Sequence, residues 1–428
     1  MKFEINQNSS FKKKLDDAKG EERLGIHSFH RYYGKLIPAI PAVAIEEFTV
    51  PGEIVFDPFS GSGTTAVEAI TRGRKFVGFE INPLAQKIAS TKTKKLNPLL
   101  LNRFNEEILR LLKSKNYIIT EADYPYVLNR EHWFKDFVQL DLIRIKKAVE
   151  DFFDNRSPAD EIVAEDYKNF YFMTISAILR NVSNADTMHV FPGISKRMRA
   201  LEAEGKIHID VIASFERAIK KRVSYYEEAN ISEDAEIILA DSTQYDVTDL
   251  ENTVSLIVTN PPYISSVRYI ETLKLEMYWM EYIKSSTEYS ALAHQMLGND
   301  MLRKAEYASY ELTGYDEIDA QIASIAALDR KSAKIISEFF IQMEKVLSKM
   351  SLVLKTGGKA VVKISDSKIK KTKIETGRFM SIIAKKYGLI LHDVFLDEIN
   401  NNSRSLTTAR NTYSDIITHD YIIIWEKQ

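Results

Sequence analysis

The stretch from Glu53 to Glu80 leaves this chain few folds to choose from. It begins with an apolar run, Glu53-Ile-Val-Phe56, and turns through Asp57-Pro-Phe-Ser-Gly-Ser-Gly-Thr-Thr65. It then carries Ala, Val, Glu and Ile at helical spacing from Thr64 to Arg72 and enters a second apolar run at Lys75. Short continuous apolar runs are the pattern of strands buried on both faces. Gly73 stands where the helical pattern stops, and glycine ends a helix there because it takes the left-handed conformation without a Cβ clash. Strand, glycine turn, helix and second strand make one βαβ unit of a doubly wound parallel sheet. Runs of the same kind predict strands at Glu53–Asp57, Lys75–Glu80, Glu236–Ala240, Ser255–Thr259, Lys359–Ile364, Leu389–Leu396 and Tyr421–Trp425.

These runs are interrupted twice. At 428 residues the chain exceeds the usual single-domain size. The organisation expected is a first catalytic part over residues 1–99, a helical insertion over 100–234 and a second catalytic part over 235–263. A candidate target-recognition insertion follows over 264–333, and a third catalytic part over 334–428. The first insertion has apolar residues at three- and four-residue spacing (Leu142, Ile145, Val149) and a predicted buried helix around Phe170 to Leu179. Loops are expected at residues 181–186 and at Pro192-Gly193, and basic clusters stand at Lys196-Arg197-Met198-Arg199 and from Arg217 to Arg222. The second insertion opens with an aromatic, helix-like segment from Tyr269 to Tyr282 and continues as a polar, Tyr-rich stretch from Gly298 to Asp316.

Composition removes several function classes. No run of roughly eighteen apolar residues is present, so no membrane span is expected. The polar, charged N-terminus lacks the apolar core of a secretory signal, and a cytoplasmic location is expected. Cysteine is absent, which excludes disulfides, thiolate metal sites and cysteine nucleophiles. Chemistry in which a thiolate must first add across a ring is thereby closed to this chain, whereas transfer to an amino nitrogen needs no covalent intermediate. The net charge of −2 means that any nucleic-acid contact must be a local basic patch.

The glycine turn has the chemistry of a nucleotide-like cofactor site. Gly61 and Gly63 let the backbone approach a ligand, and the N–H groups opening the next helix point at it. Glu80 ends the second predicted strand, 23 positions after Asp57, where an acid accepts hydrogen bonds from ribose hydroxyls. No Gly-Lys-Ser/Thr follows, so this is not a triphosphate loop, and the spacing differs from the dinucleotide Gly-x-Gly-x-x-Gly. Asp241-Ser242, after the third predicted strand, either holds the amino group of an adenine ring or caps a helix. A second feature, Thr259-Asn-Pro-Pro-Tyr263, directly follows another predicted strand. Together the two segments argue for methyl transfer from S-adenosylmethionine to an exocyclic amine of a nucleic-acid base.

On these residues the chain resembles the amino-group DNA methyltransferases, which modify the N6 of adenine or the N4 of cytosine. Asp57 to Thr65 is similar to that family's cofactor loop, and Phe79-Glu80-Ile81-Asn82-Pro83 to its next motif. His30-Arg-Tyr-Tyr-Gly-Lys-Leu-Ile-Pro38 resembles the segment that closes over the methionine part of the cofactor. The resemblance implies an α/β, class I methyltransferase fold: a Rossmann-like, mostly parallel sheet of seven strands, with helical insertions. It implies S-adenosyl-L-methionine as cofactor, double-stranded DNA as partner, a cognate restriction endonuclease as a candidate second partner, and no metal. Cofactor contacts are expected from Lys35, Ile37, Asp57, Pro58, Phe59, Ser60, Gly61, Ser62, Gly63, Thr64, Glu80, Ile81, Asn82, Asp241 and Ser242.

Catalysis is expected from Asn260, Pro261, Pro262 and Tyr263. An aromatic amine is a poor nucleophile because its lone pair is delocalised into the ring. The Asn260 side-chain carbonyl and the Pro261 backbone carbonyl can each accept one amine hydrogen and turn the lone pair toward the methyl group. The two prolines fix φ and so pre-position both acceptors. Tyr263 is expected to stack on the base; Tyr269 and Trp279 either stack on it or pack within a helix. Adenine is expected because adenine enzymes of the family mostly carry Asp or Asn before Pro-Pro. The continuation to Tyr269 resembles a subgroup with Ser in that place, so N4 of cytosine stays open. An RNA base, a protein glutamine amide and a non-catalytic DNA-recognition subunit are further readings. His27 and His30 are read as part of the closing segment or as packing. Residues 368–373, Arg404 and Arg410 are candidate phosphate contacts or plain solvated loops.

Overall fold

A computed structural model describes residues 3–19, 25–154, 161–264, 268–370, 372–398 and 419–428. Arg404 and Arg410 lie outside the described residues. The strands are β1 (Ile54–Asp57), β2 (Lys75–Glu80), β3 (Glu236–Leu239), β4 (Val254–Thr259), β5 (Leu354–Ile364), β6 (Ser367–Ile369), β7 (Thr372–Ile374), β8 (Leu389–Glu398) and β9 (His419–Lys427). Seven form one sheet in the order β3-β2-β1-β4-β5-β9-β8. β3 to β5 in that order run parallel, and β9 is antiparallel to both its neighbours. This is the Rossmann-like, mostly parallel sheet of seven strands that the sequence predicts.

The two-residue period of a strand sends neighbouring side chains to opposite faces. Val55, Leu256, Val258, Ile422 and Ile424 enter one cluster with the helices Ala39–Phe48 and Thr64–Thr71. Phe56, Ile257, Ile423 and Trp425 enter another, with the long helix Arg330–Val353. Both faces are covered, which is why these strands read as unbroken apolar runs. β5 starts at Leu354, earlier than the apolar pattern suggests, because Lys355 to Lys359 is polar or glycine. The polar stretch after β5 is a small hairpin of β6 and β7, pairing Ser367 with Ile374.

The first interruption builds a helical body from Pro98–Ser114, Asp136–Asp154, Glu161–Val182 and Val211–Ala229. Ile270, Leu273, Met277, Trp279 and Tyr289 of the second interruption share its core. The later helix Asp316–Ala326 instead buries Ile318, Ile322 and Ile325 in the sheet-side cluster. The second interruption is thus divided between two cores. Among the described residues no helix is long and apolar enough to cross a membrane.

Strand order also fixes where a ligand can sit. The chain lays β2 and β3 on one side of β1, then crosses to place β4 on the other. At such a switch point the loops leaving adjacent strands part in opposite directions and open a crevice beyond the carboxyl ends. Asp57 ends β1 and Asn260 follows β4, so the two sequence motifs meet at this crevice.

Candidate active site

A cavity partly open to solvent fills the crevice. Of the residues singled out in the sequence, Lys35, Asp57, Pro58, Phe59, Ser60, Gly61, Ser62, Thr64, Glu80, Ile81, Asn82, Asp241, Ser242, Asn260 and Pro262 line it. Gly63 stands behind the wall: a Cβ there would come within 2.9 Å of the Ala89 Cβ, so its glycine serves helix packing. Ile37 packs against the core on the Ala39–Phe48 side.

The glycine loop is held by the carboxylates it surrounds. Asp57 Oδ1 accepts from Thr259 Oγ1 at 2.6 Å and from the Phe59 N–H at 2.9 Å. Glu80 accepts from the Gly61 N–H through one oxygen and the Asn82 N–H through the other, both at 2.8 Å. Gly61 has φ of +51°, a conformation that favours glycine, and a Cβ there would press on the Tyr32 ring at 3.2 Å. Asn82 caps the helix Pro83–Lys92 through hydrogen bonds from the Leu84 and Ala85 N–H groups. Burial pushes the Asp57 carboxyl up to about 6 and the Glu80 carboxyl up to about 7. On the wall beside them Ser62 Oγ is buried without a hydrogen-bond partner among the described residues.

The loop after β3 closes one end. Ser242 Oγ donates to the Pro58 carbonyl, tying the two loops together. Asp241 accepts from Thr243 N and Oγ1 and from Gln244 Nε2, at 2.7–2.8 Å, so its carboxylate organises its own turn as well as facing the cavity. Residues 32–36 close the other end. Lys35 Nζ donates to the His27 and His30 carbonyls at 2.6 and 2.8 Å, and burial lowers its pKa to about 8. The two histidines are core residues. His27 is 2.6 Å from Glu68, and His30 from Ser176 by 3.0 Å.

The Asn260 side chain faces both ways. Its Nδ2 donates to the Gly34 carbonyl at 3.2 Å. Its Oδ1 is buried with no partner among the described residues. The assignment of amide ends follows from Gly34: a flipped amide would set oxygen against oxygen. Tyr263 packs against the sheet-side cluster. It is absent from the cavity wall, and its hydroxyl donates to Asp420 at 3.0 Å. Asp420 also takes a buried ion pair from Lys363 at 2.7 Å, a polar cluster that draws the tyrosine away from the cavity. Pro261 likewise lies off the wall. Tyr269, weighed above between stacking and packing, lines the cavity and leans on Gly34, where a Cβ would meet its ring at 2.7 Å. Trp279 is buried against Phe134. Tyr32, Leu36 and residues 295–297 complete the wall. Tyr32 and Leu36 belong to the closing segment; residues 295–297 carry no local motif, and only the fold brings them here.

Residues 9–91 match the family model described as DNA methylase. The chain is 24% identical over 437 aligned residues to the Type II methyltransferase M.MvaI of Kocuria varians, covering 93% of this chain and 90% of the relative. It is 35% identical over 86 residues to the Type II methyltransferase M.MjaII of Methanocaldococcus jannaschii, covering 19% of this chain and 16% of the relative. A shorter segment, 32 residues, is 66% identical to the DNA adenine methyltransferase YhdJ of Escherichia coli, covering 8% of this chain and 11% of that protein.

Proposed function

We propose that this chain, a DNA methyltransferase of the amino-group family whose methyl donor is S-adenosylmethionine, acts on the exocyclic N6 of adenine in a base flipped out of the duplex. The observation that carries this reading is the Asn260 carbonyl oxygen, buried on the cavity wall without a partner among the described residues. A buried acceptor without a donor costs roughly 1–3 kcal/mol. An amine hydrogen of a planar base is the donor that would satisfy it.

The residues present fit the donor molecule. Ser62 offers a buried hydroxyl without a partner among the described residues. Glu80 sets a carboxylate at the end of β2, where ribose hydroxyls are recognised in nucleotide folds. Gly61 keeps the loop free of a side chain that would fill the cradle. Once bound, the molecule supplies a methyl group on a positively charged sulfur. Lys35 and the loop from Asp57 to Thr64 hold its amino-acid end, and Asp241 with Ser242 borders its adenine end. Asn260 Oδ1 accepts one hydrogen of the target amine, which draws the lone pair onto nitrogen. Gly34 keeps the Asn260 amide turned for that task. The target base must leave its stack to reach the crevice, at a cost of a few kcal/mol.

Adenine rests on Asn260 and on the adenine enzyme among the relatives. Two relatives are named Type II methyltransferases, and a restriction endonuclease of the same target sequence is the partner that this reading implies. The test is a modification map. The chain and an Asn260→Ala control are expressed in a host without DNA methylation, and modified bases are read by single-molecule sequencing. Methylated adenine at one recurrent motif, absent in the control, is the expected result. Methylated cytosine nitrogen would keep the chemistry and change the base. Unmodified DNA from a folded, cofactor-binding protein would move the substrate to RNA or a protein glutamine, or leave a non-catalytic subunit.

A further inference from the structure

Beyond the cavity, one loop is built more firmly than a surface connection needs. Thr187, Met188 and His189 form an exposed tip between the helix Glu161–Val182 and the helix Lys196–Ala203. Met188 is 74% exposed. Surface loops without a task are commonly mobile and polar; this one is fastened on both sides. At its base the Asp186 N–H donates to the Gly193 carbonyl at 2.8 Å, and the buried Asp186 carboxylate accepts from Ser195 and Arg197, both at 2.5 Å. At the tip three donors converge on the His189 carbonyl: Arg31 at 2.7 Å, Arg180 at 3.1 Å and Tyr33 at 3.2 Å. Arg180 is itself almost wholly buried. Arg31 and Tyr33 flank Tyr32, which lines the cavity. The tip is therefore tied to the segment that closes the active site, yet its apolar side chain is left in water.

We propose that this loop of the first helical insertion is the element set against duplex DNA, Met188 entering the stack beside the target base while Lys196 and Arg199 hold flanking phosphates. The proposal rests on the DNA reading above. Apolar wedges, methionine among them, are what proteins insert between base steps to unstack them. A wedge must be rigid, and the three bonds to His189 and the turn around Asp186 make it so. Lys196 and Arg199 are exposed on the helix that directly follows the loop and give this face the local positive charge that phosphate contact needs. The hydrogen bonds to His189 also couple the wedge to residues 31–34, so that duplex contact and closure of the site move together.

The test uses the full chain and a duplex carrying its mapped target, with the target base either correctly paired or opposite an abasic position. Met188→Ala is expected to lower kcat/KM on the paired duplex roughly tenfold and on the abasic-opposed duplex by no more than about twofold, because that base is already unpaired. S-adenosylmethionine affinity stays unchanged. The double variant Lys196→Glu, Arg199→Glu is expected to weaken binding to duplexes of any sequence and to flatten its salt dependence. Equal losses on the two duplexes, or activity within about twofold of wild type on both, would overturn the wedge and leave the DNA reading standing. A wild-type protein that neither binds nor methylates duplex DNA would overturn that reading and the wedge with it.

Discussion

The two ends of the active-site crevice are built on opposite principles. At the β1–β2 end both carboxylates are partnered, Asp57 with Thr259 and Phe59 and Glu80 with Gly61 and Asn82, while Ser62 Oγ beside them is buried without a partner among the described residues. At the β4 end Asn260 has spent its donor on Gly34 and left its acceptor buried without a partner among the described residues. The first end is a scaffold that keeps its shape whether or not a ligand is present. The second is half of an interaction. A cofactor that is exchanged in every cycle suits a site holding itself together, while a transient nucleophile suits an acceptor satisfied only when the nucleophile arrives.

The comparison breaks most sharply at Asn260. Replacing it by alanine is expected to lower the methylation rate on the order of 10³-fold, as removal of a pre-organised polar group from an active site does. Stability falls by only about 1 kcal/mol, since the Nδ2 bond to the Gly34 carbonyl is lost while the oxygen has no partner among the described residues. A large loss of Tm would mean that Asn260 is structural. Glu80→Ala should do the reverse. It removes both backbone anchors of the loop, so S-adenosylmethionine affinity falls roughly 100-fold and stability by about 2–3 kcal/mol, measurable by calorimetry and denaturant unfolding.

pH separates the two ends further. The Glu80 carboxyl is raised from 4.5 to about 7 by burial. The folded apoprotein therefore binds its proton where the unfolded chain has released it. That contribution to stability is full below 4.5 and is lost as pH rises through about 7. Ribose hydroxyls favour the ionised carboxylate, so cofactor affinity is expected to rise over the same interval and to be flat in Glu80→Gln. Affinity that falls with pH would contradict the role given to Glu80.

Two smaller effects sharpen the β4 end. Gly34 has φ of +77°, and a Cβ there would lie 2.7 Å from the Tyr269 ring. Gly34→Ala should displace the carbonyl that orients Asn260 and lower kcat about tenfold with little change in cofactor affinity. Tyr263→Phe removes the hydroxyl's bond to Asp420 and is expected to cost about 1 kcal/mol of stability with methylation nearly intact.

Much of this was legible in the residues. Parallel strands covered on both faces have to be apolar throughout, so Ile54 to Phe56, Leu256 to Val258 and Ile422 to Trp425 declared themselves. The glycine loop and Asn-Pro-Pro-Tyr were legible because each packs its chemistry into adjacent positions. What stayed hidden depends on long-range packing. Residues 295–297 reach the cavity from a segment that carries no local signal. Tyr263 leaves its motif's cavity for Asp420, which is 157 positions away and carries no local signal. The three-residue strands β6 and β7 are too short and polar to show a period.

The central claim, that Asn260 waits for an amine, is tested most directly by a double-mutant cycle between protein and base. Binding of the cofactor-loaded protein is measured for a duplex with its normal target base and for one whose target base lacks the exocyclic amine, using wild type and Asn260→Ala. The account predicts that wild type discriminates between the duplexes by roughly fivefold to tenfold and that the variant does not. Equal discrimination by both proteins would contradict it.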